Sequence, residues 1–175
     1  MANNYSQFSE VFTFKTEEAA RLFVKLAEIC VALADEEISD EELELPPDKR
    51  EDFTAQESRM AGTWSFLTLD KRKALLEAAE CGRFDFEPDA KDPCSVWVYA
   101  EEYGNLDALG ECAHEALRFC DDDTILTLTW ADYCEKLRPG EFGGGYMVIH
   151  AGGVEYGNAH DLAAKAAEAV KASRA

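Results

Sequence analysis

Three histidines, six cysteines and thirty-six carboxylates are the residues of this chain with the greatest chemical reach, and their spacing decides what they can do. Cys112, His114 and Cys120 come nearest to a metal-ligand set. A cluster of the three would draw on different helix faces, His114 lying away from Cys112 and Cys120, and no Cys-x-x-Cys pair supplies the close ligands of a structural zinc site. Asp121-Asp122-Asp123 offers oxygen ligands, but lacks the glycine and the twelfth-position glutamate of an EF-hand loop, and reads as a solvated helix terminus. Pro47-Asp48 with Asp89-Ala90-Lys91 echoes the divided carboxylate-lysine site of some nucleases, yet both pieces lie in proline-containing, loop-like sequence. No Gly-x-Ser-x-Gly elbow is present, and no cysteine and histidine are spaced for pairing. The expectation is a protein that is not an enzyme, with no catalytic residue, no cofactor and no metal.

The most unusual local segment is Arg138-Pro139-Gly140-Glu141-Phe142-Gly143-Gly144-Gly145. It lacks the Gly-Lys-Ser/Thr ending of a phosphate loop and the G-x-G-x-x-G turn of a dinucleotide site. Glycines ahead of a strand ordinarily supply positive φ in a turn. The functional alternative is a contact loop, with Arg138, Glu141 and Phe142 meeting a partner.

Charge is the feature that points outward. The formal net charge is −19, and two stretches hold all of it. Asp35 to Glu57 carries eleven acids and two bases, Phe84 to Asp123 carries twelve acids and two bases, and the remainder is balanced. Hydrophobic residues make up 47% of the chain, so the acidity is not that of a disordered tail. Self-repulsion of this size opposes compaction, which leaves two roles for it: solubility, or presentation to a partner.

The elements that must position these groups follow from apolar periodicity. Phe8, Val11, Phe12 and Phe14 fit a first strand, and Thr16 caps a helix from Glu17 to about Ala34. Asp35 to Ser58, with Pro46-Pro47, reads as an acidic loop insertion. Trp64 to Leu69 suggests a strand, and Asp70 caps a short helix from Lys71 to Glu80. Phe84 to Glu87 and Ser95 to Glu102 read as strands. Asn105 caps a helix whose inward face is Leu106, Leu109, Cys112, Ala113, Ala116, Leu117 and Cys120. Ile125 to Trp130 is a strand, Gly140 to Gly145 a flexible connection, and Tyr146 to His150 and Val154 to Tyr156 a hairpin about Gly152-Gly153. Ala159 to Ala172 is a final helix.

This order predicts one α+β domain over residues 1–175, with the insertion at about 35–58 and helices on one face of a mainly antiparallel sheet. A ferredoxin-like arrangement, elaborated or not, is the first expectation. The cysteines are expected to be reduced, since the chain can bury a sizeable core and shows no export signal. No apolar stretch approaches a membrane span, so a cytoplasmic location is expected.

Tyr5 to Glu10, Trp97 to Asn105, Trp130 to Cys134 and Arg138 to Gly145 together resemble a family of small acidic proteins of bacteriophages and mobile plasmids that has no established activity. The resemblance covers the first dozen residues and about Ser95 to Asn158, and implies a bacterial or phage setting. In that setting the expected function is inhibition of a host nucleic-acid-binding defence enzyme, a CRISPR effector or a restriction enzyme, through a DNA-like anionic surface. Duplex DNA carries one charge per roughly 1.7 Å, so the net charge matches about 32 Å of duplex. The expected contacts are one strip of Asp35, Glu36, Glu37, Asp40, Glu41, Glu42 and Glu44, and a second of Glu101, Glu102, Asp121, Asp122 and Asp123. The alternative is an interaction module whose acidity only solubilises, docking through the 138–145 loop.

Overall fold

Why the chain folds as it does is plainest in its two central helices. The computed structural model describes residues 4–33, 84–121, 123–134 and 143–172. Strand β1 (Asn4–Thr13) leads into α1 (Glu17–Leu33), where the Thr16 hydroxyl accepts from the Ala19 amide at 3.1 Å and Glu17 and Glu18 occupy the first turn. That is a side-chain cap with acids at the positive end of the helix. Strands β2 (Asp85–Pro88) and β3 (Ser95–Ala100) precede α2 (Leu106–Cys120), whose first turn is closed by the Asn105 side chain accepting from the Ala108 amide at 3.0 Å. Strands β4 (Leu126–Cys134), β5 (Gly143–His150) and β6 (Gly153–Asn158) follow, and α3 (Ala159–Ala172) leaves β6 without a loop.

The strands form one antiparallel sheet in the order β2-β3-β1-β4-β5-β6. The first four, with α1 and α2, reproduce the split β-α-β interleaving of a ferredoxin-like fold, and the β5–β6 hairpin and α3 elaborate it. The expected α+β class and arrangement are therefore met. Helices α1 and α2 pack against each other on one face, with Phe23 of α1 meeting the rings of Phe12 and Phe14 at centroid distances of 5.9 and 5.6 Å. Leu109, Cys112, Ala113, Ala116 and Leu117 of α2 are fully buried, as the helical spacing predicts. Cys30 and Cys112 meet between the helices with their sulfurs 3.4 Å apart, both as free thiols. Burial, with Cys30 beside it, pushes the Cys112 thiol well above its usual range.

Three differences from expectation concern boundaries. Gly143, Gly144 and Gly145 belong to β5 rather than to a connection, paired with Asp132, Ala131 and Trp130. Strand β4 runs on past Trp130 to Cys134, and β3 ends at Ala100 instead of reaching Glu102. The expected strand at 64–69, the helix at 71–80 and the acidic insertion at 35–58 lie outside the described residues.

Candidate partner-binding face

Helices α1 and α2 cover one side of the sheet, and alternation along β3 shows what the described residues present on the other. Val96, Val98 and Ala100 are buried under α1 and α2, whereas Trp97 and Tyr99 point the opposite way. The register then fixes their neighbours. Glu87 of β2, Trp97 and Val11 of β1 form one cross-strand row, and Asp85, Tyr99 and Ser9 form the next. Trp97 and Val11 are 40% and 53% exposed, so this is an apolar surface open to solvent with carboxylates at its β2 edge.

The aromatic pair is held in place. Trp97 and Tyr99 stack with ring centroids 4.2 Å apart and planes 25° apart. The Trp97 indole donates to the Ser9 hydroxyl at 2.9 Å, and the Tyr99 hydroxyl donates to Glu87 Oε1 at 3.3 Å. At the C-terminal end of β3, the Gln7 side-chain amide donates to the Glu101 carbonyl and so ties that corner to β1. Partial burial and the fields of Glu87, Asp85 and Glu101 together push the Tyr99 hydroxyl above its ordinary range.

The residues expected to form the second acidic strip separate into two places. Glu101 and Glu102 are exposed where β3 turns into α2, while Asp121 and Asp123 sit at the other end of that helix. A 15-residue helix is about 22 Å long, so the two pairs do not form one patch. Asp121 is buried and accepts from the Lys15 amide at 2.6 Å, the Thr124 hydroxyl at 2.6 Å and the Thr124 amide at 3.2 Å. It joins the start of α1 to the end of α2. Asp123 pairs with Lys15 at 2.5 Å, and that hydrogen bond and charge hold its carboxyl below the usual range. Asp122, the Asp35 to Glu44 strip, and Arg138, Glu141 and Phe142 lie outside the described residues.

Two other places bear on function. The zinc-like residues diverge: Cys112 faces Cys30, His114 Nδ1 lies 2.9 Å from the His150 carbonyl, and Cys120 lines a groove between the start of α1 and the end of α2. Among the described residues no group of three or more His, Cys, Asp or Glu side chains is placed to hold a metal ion. The groove, about 710 Å³, is lined by Glu17, Glu18, Arg21, Leu22, Lys25, Phe119 and Cys120. Its two acids and two bases balance, in contrast to the sheet face.

Asp85, Glu87, Trp97 and Tyr99 were not among the expected site residues. In β3 every position from Val96 to Ala100 is apolar or aromatic, which hides its two-sidedness. The usable signal lies in and just before β2, where Phe84 and Phe86 alternate with Asp85 and Glu87. Among the described residues no helix is long and apolar enough to cross a membrane. Compared with protein-family models, curated proteins and solved structures, the chain matches none.

Proposed function

We propose that this protein is a non-catalytic binding protein of a phage or mobile element, acting in the bacterial cytoplasm, that occupies the basic nucleic-acid-binding surface of a host defence enzyme such as a CRISPR effector or restriction enzyme. The observation that carries the reading is the sheet face opposite α1 and α2, where Asp85 and Glu87 lie beside a Trp97–Tyr99 stack whose indole is open to solvent, with Glu101 just past the end of β3. A net charge of −19 draws such a partner in, and the aromatic pair supplies apolar contact once it has arrived. Glu102 extends the same end of the sheet. The strip from Asp35 to Glu44 adds to the long-range field that steers the encounter. Asp121 and Asp123 take no part, because their carboxylates already serve the fold.

The test is capture from bacterial lysate on the full chain, with elution by rising salt and by competitor duplex DNA. A nucleic-acid-binding enzyme released by both is the expected result. Reversing Asp85 and Glu87 to lysine should weaken capture by roughly tenfold or more, as for truncation of interfacial charge pairs. Asp123→Lys should leave it unchanged. Capture that resists salt and survives the double reversal would overturn the reading in favour of docking through the 138–145 loop.

A further inference from the structure

We infer that the stack formed by Trp97 and Tyr99, with Glu87 and Asp85 beside it, is a receptor for an arginine side chain presented by the protein partner, which rests on reading this sheet face as the contact surface.

A partner of this surface must carry positive charge. Among the described residues no lysine or arginine pairs with Asp85, Glu87 or Glu101. A molecule with net charge −19 attracts a cation there. The kind of cation is set by the aromatic pair. Neighbouring strands lie about 4.8 Å apart, so a group placed over Trp97 is within one strand spacing of Glu87, and one over Tyr99 is equally close to Asp85. Arginine suits this combination because its guanidinium is planar, stacks on aromatic rings, is weakly hydrated and donates two parallel hydrogen bonds to a carboxylate. An ammonium group has no plane to stack and sheds its water less readily.

The groups that would receive it are already oriented. Trp97 is tethered through its indole to Ser9, and Tyr99 through its hydroxyl to Glu87. That second bond occupies one oxygen of Glu87, and an ionised carboxylate can accept further hydrogen bonds. Ordering the side chains before binding lowers the entropic cost of the contact. Trp97 and Val11 are open to solvent, a setting that suits a cation carried on a larger protein surface.

The experiment uses the full chain with nitrogen-15-labelled tryptophan indoles, the Trp97 signal being assigned through Trp97→Phe. Nona-arginine and nona-lysine peptides are titrated in parallel at fixed ionic strength. The expected result is a shift of the Trp97 indole signal with nona-arginine, and affinity roughly tenfold above that for nona-lysine, of the order a cation-aromatic contact provides. Asp85→Asn with Glu87→Gln should narrow the difference between the two affinities, since the paired acceptors are lost while the aromatic stack remains. Equal affinities for the unaltered protein, or binding that leaves the Trp97 signal unmoved, would overturn the inference without using any variant. The two readings fail separately. Salt-sensitive capture of a host enzyme with no arginine preference retains the anionic face and discards the arginine receptor. A clear arginine preference with no nucleic-acid enzyme captured retains the receptor and discards the proposed host target.

Discussion

At the scale of single residues, carboxylates at the two ends of α2 do opposite work. Asp121 and Glu101 both come from acid-rich segments, and their surroundings separate them. Asp121 is buried and meets three donors from Lys15 and Thr124, whereas Glu101 is exposed at the end of β3. Nothing in the run Asp121-Asp122-Asp123 announces this, because a buried cap and a solvated run have the same local composition. The distinction comes from Lys15, about a hundred positions away in the chain. Asp121→Ala is expected to cost about 2–3 kcal/mol, since it strands buried donors that faced a charged acceptor. Urea unfolding of the variant beside Glu101→Ala measures it, and equal midpoints for the two would refute the distinction drawn between them.

Elements were legible wherever one period dominated. The inward face of α2, and the caps of both α1 and α2, follow from helical spacing and from Thr16 and Asn105. The glycine run did not yield to that reasoning. Gly145 sits opposite Trp130 in the β4–β5 ladder, and a Cβ there would meet the indole ring and the Gly157 carbonyl. Gly144 has φ of 146°, and its own Cβ would press on the Trp130 backbone. These glycines make room within a strand for an aromatic in the next one, a need set by tertiary pairing and invisible in a window of local sequence. Gly145→Ala is therefore expected to destabilise by about 1–3 kcal/mol through overpacking. Gly143→Ala, whose Cβ would find only His160 Nε2 at 3.8 Å among the described residues, should stay within about 0.5 kcal/mol. Thermal melts of the pair discriminate: equal losses would mean that backbone conformation, and not the Trp130 ring, sets the requirement.

For the whole molecule, the order of strands and helices was enough to predict the α+β class and the ferredoxin-like interleaving, because antiparallel two-layer packing leaves few topologies for that order. The location of the acidic surface was not predictable in the same way. Sequence places charges along a line, and α2 sends Glu102 and Asp121 to opposite ends of the sheet. Net repulsion also makes a global prediction. Raising sodium chloride from about 0.02 M to about 0.5 M shortens the Debye length to a few ångströms, so the melting temperature should rise as repulsion among the carboxylates is screened. A fall would mean that ion pairs such as Lys15–Asp123 outweigh the repulsion.

Strand β3 carries two interleaved messages, one written in Val96, Val98 and Ala100 and the other in Trp97 and Tyr99. They can vary separately, since the outward letters can be rewritten without disturbing the inward ones. Both depend on the phase between them. One residue inserted or deleted between Pro93 and Val96 would turn the valines to the water and drive the aromatic pair beneath the helices, erasing the two messages in a single event.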